Sequence, residues 1–367
     1  VLLLTLATWL AAAVLALIVT PLAMRLAPRL GLLDRPGGYK RQDAPVPYAG
    51  AGLVVAALAA GLAALLARYW VLSTWRHAGE RPTALHVLFL VGAPRGEPGI
   101  RGRLAWIAGL SVAVFLLGLA DDRWRLRPRT KLAAEVAIAL VLAIAADVRI
   151  TFFIESYPIS VALTVIWVVG ITNTMNLLDN TDGVAAGAAA VAAAVFALVA
   201  LGTGQARVAV ALAALSGGAA GFLRYNFHPA RAYMGDAGSL WLGFVLASLP
   251  IAATFYREGG SMLAAAMPLL ILAVPIFDTA TVLAIRLREG RPLFKGDRSH
   301  FAHRLVDLGM SVREAAMTIY LLTASVGLGA LVLKDLSGGA GFLVVSQAAG
   351  LLAVVALLES AARRRAK

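Results

Sequence analysis

Cysteine is absent from this 367-residue chain, and charge is scarce, with Asp, Glu, Lys and Arg making up 14% of residues. The missing thiols exclude disulfides, iron–sulfur clusters and thiolate zinc sites, and they leave the compartment open. Soluble domains carry about 25% charged residues. A chain that is 60% hydrophobic, with a mean hydropathy of +0.82, cannot clothe itself for water. Acids are scarcer still, 20 against 33 Lys and Arg, which leaves a net charge of +13. Internal repeats and low-complexity tails are also missing. The chain is read as one all-α, polytopic integral membrane domain over residues 1–367.

The excess of base does not point to nucleic acid. Lys and Arg fall in short loops between apolar runs, which is the positive-inside pattern rather than a docking face, so nucleic acid is excluded as a partner. A span needs about 20 apolar residues. Eleven segments qualify: Val1–Thr20, Gly50–Leu72, Leu104–Ala120, Leu132–Asp147, Ile159–Met175, Val184–Leu201, Arg207–Leu223, Gly238–Tyr256, Ser261–Ile285, Ala315–Leu333 and Ala340–Leu358. The first has no Lys or Arg before Arg25, so it reads as a retained helix rather than a secretory leader.

An odd number of spans puts the two ends on opposite sides. Most Lys and Arg gather on the side of Arg363-Arg364-Arg365-Ala366-Lys367, which places the N-terminus outside and the C-terminus in the cytoplasm. Residues 73–103 then form an extracytoplasmic insertion. It contains an apolar run, Ala84–Ala93, and is flanked by Trp70, Trp75 and Trp106 as interface anchors.

What remains is a small set of acids at helix ends that all face the cytoplasm. A carboxylate at bilayer depth costs about 2.5–3.5 kcal/mol on insertion scales, so each is a functional suspect. Asp121-Asp122 close the third span before Arg123, Arg125, Arg127, Arg129 and Lys131. Adjacent carboxylates repel unless a cation sits near them. The pair reads as base and metal ligand with Lys131 on phosphate, or as an ordinary charged loop. Asn173, Asn176, Asp179 and Asp182 recur every third residue, so neighbours share a helix face that winds. Asn180-Thr181-Asp182-Gly183 reads as a helix break, with Asp182 able to cap the following helix. Carboxylate and amide oxygens are what Mg²⁺ takes, beside water and substrate phosphates. Asp236, in M-G-D-A-G-S, is either a helix cap or the third acid of a metal site. Asp278 follows Pro275 inside the ninth span, where a kinked helix can tuck it against neighbouring hydroxyls. Beyond it, Asp297-Arg298-Ser299-His300-Phe301-Ala302-His303-Arg304 lacks the Cys or Glu that would complete a zinc set. It suits diphosphate better.

Taken together, these motifs resemble the polyprenyl-phosphate N-acetylhexosamine-1-phosphate transferases. The resemblance runs from Asp34-Arg35-Pro36 to His303. It rests on Asp121-Asp122, on N-x-x-N-L-x-D-x-x-D-G at Asn173 to Gly183, and on M-G-D-x-G-S at Met234 to Ser239. The chain departs from the pattern in three places: Gln42 stands where the first loop often has His, Asn180-Thr181 replace Gly-Leu, and Ala302 interrupts the His-rich loop. The consecutive His residues of the phospho-N-acetylmuramoyl-pentapeptide transferase branch are missing, which favours the UDP-GlcNAc:undecaprenyl-phosphate branch.

The resemblance implies Mg²⁺-dependent (or Mn²⁺-dependent) transfer of a sugar-1-phosphate from a UDP-sugar to undecaprenyl phosphate at the bacterial inner membrane. It also implies a homodimer. Asp236 and Asn176 are expected to hold the metal. Asp121 or Asp122 is expected to deprotonate or position the lipid phosphate, and Asp179 and Asp182 to shape the nucleotide pocket. Lys131, Asn173, Asn176, Asp278, Asp297, Arg298, His300 and His303 are expected to bind substrate. Two rivals fit less well. A CDP-alcohol phosphotransferase motif would continue A-R after Asp179–Gly183, where this chain has Ala186-Gly187. An ion-coupled transporter would carry its acids near the midplane, with repeat symmetry.

Overall fold

The computed structural model describes the chain except for residues 36–43, 79–98, 152–153, 254–261, 293–298, 334, 337 and 366–367. Its helices are α1 (Leu2–Leu26), α2 (Gly50–Ala78), α3 (Ile100–Trp124), α4 (Pro128–Ile144), α5 (Tyr157–Leu178), α6 (Val184–Gly202) and α7 (Ala206–Asn226). They continue with α8 (Gly235–Ala252), α9 (Met267–Ile271), α10 (Ala273–Arg288), α11 (Phe301–Asp307), α12 (Val312–Leu333) and α13 (Gly338–Arg365). Among the described residues the fold is all-α apart from an antiparallel pairing of β1 (Leu33–Asp34) with β2 (Val46–Pro47) and a parallel bridge between Tyr48 and Tyr233.

Among the described residues each of the eleven predicted segments overlaps a helix, but the span count differs. Among the described residues nine helices are long and apolar enough to cross a membrane, or ten if one bent pair counts as a single span. Leu132–Asp147 falls on α4, which has 17 residues. Ser261–Ile285 is not one rod: its two halves meet at 70°. Pro275 has no N–H to give the carbonyl of Ile271, so the ladder breaks there and restarts as α10, where a first-turn proline costs little. Of the expected insertion at 73–103, residues 73–78 lie on α2 and 100–103 on α3, and residues 79–98 lie outside the described residues. Ala84–Ala93 lies outside the described residues, as does the side chain of Trp75. Trp70 on α2 and Trp106 on α3 are exposed.

Helices α6, α7 and α8 form the buried centre, while α13 and α3 keep most of their surface outward. Leu10, Leu62, Ile166, Leu343 and Leu357 are exposed on the outer helices. Such a surface is a liability in water and ordinary in lipid, where burial of apolar area no longer drives helices together. Close packing of small residues replaces it. The Ala-rich α6 shows this best: the ring of Tyr320 from α12 lies where a side chain at Gly187 would have to go, and its hydroxyl donates to the Gly183 carbonyl at 2.7 Å.

The same device sets the one crossing that matters most for chemistry. A Cβ on Gly118 of α3 would strike the Asp236 carbonyl of α8, with the Ala237 Cα 2.6 Å away. Only a glycine permits that approach. The first loop is pinned nearby, because Tyr233 N donates to Pro47 O at 3.0 Å and Ala49 N to Tyr233 O at 2.8 Å.

Candidate active site

Three separate motifs converge on one ammonium group. Lys131, in the first turn of α4, points its Nζ at Asp121 Oδ2 (3.0 Å), Asn176 Oδ1 (3.2 Å) and Asp236 Oδ2. An ammonium has three donors, so all of them are engaged. Asn176 locks the set by donating its Nδ2 to Asp236 Oδ1 and to Ser239 Oγ, both at 2.9 Å. The carboxylates of Asp121 and Asp236 also lie against each other. Two acids brought this close need a shared cation, and Lys131 supplies it.

The adjacent pair divides its work. Asp122 accepts the backbone N–H of Asp236 (2.8 Å) and of Ala237 (3.0 Å). It thus caps the N-terminus of α8 from another helix, where the dipole favours an anion. Gly235 makes room with φ +69°, and a Cβ there would meet Asp122 Oδ2 at 2.7 Å. Asp121 instead faces Lys131 and accepts Leu126 N at 2.7 Å. The cap at α8 is therefore Asp122 and not Asp236, whose own carboxylate stays with Lys131 and Asn176.

Helix α5 ends at Leu178, and the expected break over Asn180–Gly183 is present, with Asn180 Nδ2 donating to Leu177 O at 2.6 Å. Asp182 does not cap α6. Its Oδ2 accepts Ala230 N at 3.0 Å and lies 2.7 Å from His228 Nδ1, which ties the motif to the loop before α8. Tyr233 stands among three acids: burial, with Asp182, Asp34 and Asp179 near, pushes its hydroxyl up to about 12.

Burial, with Asp236, Asp122 and Asp182 close by, holds the Asp179 carboxyl well above the usual carboxylate range. A raised carboxyl is still protonated in the fold when the unfolded chain has already lost its proton. Stability therefore falls as pH rises from the unfolded value towards the folded one, by about 1.4 kcal/mol per pH unit. Asp179→Asn is expected to melt like the parent in acid, where both are neutral, and above it at about pH 8. Equal melting temperatures across the range would show that Asp179 ionises freely in the fold.

Asp278 is part of a second assembly. Fully buried, it accepts Phe301 N at 2.5 Å and lies 3.0 Å from His300 Nδ1. It caps α11 and fixes the ring of His300, so its contacts are those of an anchor for the His loop. Arg304 extends the network by donating to Glu359 Oε1 (3.0 Å), Ser299 O (2.6 Å) and Thr281 Oγ1 (3.0 Å). His303 is half-buried on the same short helix. Asp297 and Arg298 lie outside the described residues, and so does Gln42.

Several residues beside the site had no role in the sequence reading. Glu135, one turn after Lys131, is 3% exposed and accepts the side chain of Asn173, which also donates to Val169 O at 2.9 Å. An acid inside a predicted span was the signal for it. His228 had no motif around it to mark it. Tyr48 and Asp34, joined at 2.7 Å, needed the loop pairing to bring them beside Asp122 and Asp236.

The donor set fits a hard cation in a limited way. Among the described residues no group of three His, Cys, Asp or Glu is placed to hold a metal. Three oxygens from Asp121, Asp236 and Asn176 do converge on one positive centre, Lys131 Nζ. Mg²⁺ typically takes one or two carboxylates and completes its shell with water and phosphate. The site matches that pattern and not an all-protein cage.

Known proteins resemble this chain over the residues that build the site. The model of glycosyl transferase family 4 matches residues 104–254, which hold Lys131, both carboxylate motifs and Asp236. A probable undecaprenyl-phosphate N-acetylglucosaminyl 1-phosphate transferase of Bacillus subtilis is 30% identical over 327 residues, covering 87% of this chain and 82% of that protein. A decaprenyl-phosphate N-acetylglucosaminephosphotransferase of Mycobacterium tuberculosis is 31% identical over 243 residues, 58% of this chain and 59% of its own. A phospho-N-acetylmuramoyl-pentapeptide-transferase of Caldanaerobacter subterraneus is 30% identical over 231 residues, 57% of this chain and 69% of its own.

Proposed function

Because the chain belongs to glycosyl transferase family 4, we propose that it transfers N-acetylglucosamine-1-phosphate from UDP-GlcNAc to undecaprenyl phosphate, releasing UMP. The reaction takes place at the cytoplasmic face of the bacterial inner membrane, and the lipid-linked sugar starts an envelope polysaccharide. The observation that carries this reading is the convergence of Asp121, Asn176 and Asp236 on Lys131 at the end of membrane helices. A soluble nucleotide-sugar and a lipid head group can meet only at such a boundary. The greater coverage of the N-acetylglucosaminyl relative, 87% against 57% of this chain, favours that sugar over the muramoyl-pentapeptide.

In the reaction, an oxygen of the lipid phosphate attacks the β-phosphorus of the donor. The bond from that phosphorus to the bridging oxygen breaks, and UMP leaves with the electron pair. Two anions must approach, so the chief task is charge compensation. Asp236 and Asn176 would hold Mg²⁺ or Mn²⁺, which when bound supplies positive charge to the donor diphosphate. Lys131 turns from the acids to phosphate as substrate enters. Asp121 holds the lipid phosphate in its reactive ionisation state. Asp122 keeps α8 in register, so its effect on rate runs through Asp236. Asn173 and Glu135 fix the α4–α5 contact beside Lys131. Asp179, Asp182 and Tyr233 border the nucleotide. Asp278 seats His300, and His300, His303, Asp297 and Arg298 serve the diphosphate.

Protein purified in detergent with Mg²⁺ and undecaprenyl phosphate is expected to release UMP from UDP-GlcNAc. EDTA should stop release, and Asp236→Asn should slow it by about 10²–10³-fold, the scale of losing one preorganised charge contact. Release only from UDP-MurNAc-pentapeptide would keep the mechanism and overturn the sugar. No UMP from any donor, with a monodisperse protein, would overturn the reaction.

A further inference from the structure

The end of α7 and the start of α12 border a cleft of about 680 Å³ to which the proposed transfer assigns no step. It is lined by the apolar Leu223 and Phe227 and by Arg224, Arg231, Arg313 and His228. All three arginines are exposed, and among the described residues no acid lines the cleft. Like charges lining one cleft repel, and an anion between them relieves that. Guanidinium groups match phosphate oxygens in fork geometry better than any other side chain.

The surroundings narrow the anion further. Helices α7 and α12 are both long and apolar enough to cross a membrane, and the arginines stand at their ends. Leu223 belongs to the last turn of α7 and Phe227 follows it. The cleft thus sets cations and apolar side chains side by side at the ends of two spans, the arrangement that draws anionic lipid. A free phosphate would use the arginines and leave the apolar side chains wet.

We propose that this cleft binds the phosphodiester headgroup of an anionic phospholipid, with the acyl chains along Leu223 and Phe227. The site also reaches the carboxylate motifs. Arg313 Nε donates to His228 O at 3.0 Å, while the ring of His228 lies 2.7 Å from Asp182. Ala230, two residues on, donates to the same Asp182 oxygen. A phosphate that engages Arg313 bears on the loop that holds Asp182, so bound lipid tunes turnover. That last consequence rests on the transferase reading. The binding site does not.

Native mass spectrometry of the detergent-purified protein, titrated with phosphatidylglycerol or phosphatidylcholine, tests the binding directly. One phosphatidylglycerol is expected to bind more tightly than phosphatidylcholine. The double variant Arg224→Gln/Arg313→Gln should bind it about thirtyfold more weakly, the consequence of removing two juxtamembrane charges. Arg224→Gln alone changes one exposed side chain and should weaken binding several-fold, so a misfolded double variant would not shield the idea. Unchanged affinity in Arg224→Gln, no preference over phosphatidylcholine, or displacement by excess inorganic phosphate would each overturn it, the last by making this a free-phosphate site. UMP release should rise in phosphatidylglycerol nanodiscs for the parent and stay at its phosphatidylcholine level for the double variant. No release from either protein, with lipid binding as described, would sink the transferase reading and leave the cleft intact.

Discussion

Lys131→Met should reduce UMP release by at least about 10²–10³-fold, the scale of losing a preorganised charge contact, and it should also loosen the fold. The ammonium is the one charge that Asp121, Asp236 and Asn176 share. Without it two carboxylates face each other at 14% and 30% side-chain exposure. Removing one partner of a fully buried ion pair costs about 3–5 kcal/mol. Water reaches these oxygens in part, so a loss of about 1–3 kcal/mol is the appropriate scale. Lys131→Arg separates the two effects. It restores charge, but a planar fork cannot aim three donors at oxygens around a point. Its melting temperature should recover while its turnover stays low. If Lys131→Met kept most of its turnover, the central role of this amine would be wrong.

The second large effect needs only one uncharged methyl group. Gly118→Ala would drive a Cβ into the Asp236 carbonyl, within 2.5 Å of the Asp236 carbonyl carbon and 2.6 Å of the Ala237 Cα. These are backbone atoms, so no side chain can swing aside. Either α3 and α8 separate or both deform. Overpacking of this kind costs about 1–3 kcal/mol, occasionally more. The displaced residue is Asp236 itself, and Asp122, one turn beyond Gly118, loses its seat on the α8 terminus. A shift of about 1 Å in a reacting group can cost about 10²-fold in rate. Gly109→Ala in the same helix is the control, because nothing lies within 4 Å of its Cβ position. It should melt and turn over like the parent. Comparable UMP release from both variants would mean that the α3–α8 approach does not set the site.

Composition and motif order carried the sequence reading a long way. The scarcity of charge dictated a membrane fold, since a surface so apolar has no stable exposure to water. The apolar runs located the helices because backbone groups in lipid must bond within their own segment. Asn180–Gly183 announced a break through its glycine, which takes φ +76°. The ninth span misled because hydropathy registers apolar length and not continuity of the ladder, and Pro275 interrupts the second without shortening the first.

By itself, then, the sequence determined the solvent this protein lives in, the helices it forms and the pool of acids from which a site is drawn. All three follow from local chemistry, in which neighbours along the chain decide the outcome. Tertiary structure alone decided the assignments within that pool. Asp122 became a cap and Asp121 a partner of Lys131, though they are adjacent in the chain. Asp278 was fixed as an anchor, and Glu135 and His228 gained partners that no motif announced. Lys131 and Asp236 stand 105 residues apart and meet because glycine lets two helices touch. Hydrogen bonds and ion pairs act over a few ångströms, so which donor meets which acceptor depends on how helices cross, and that is settled by packing between distant segments.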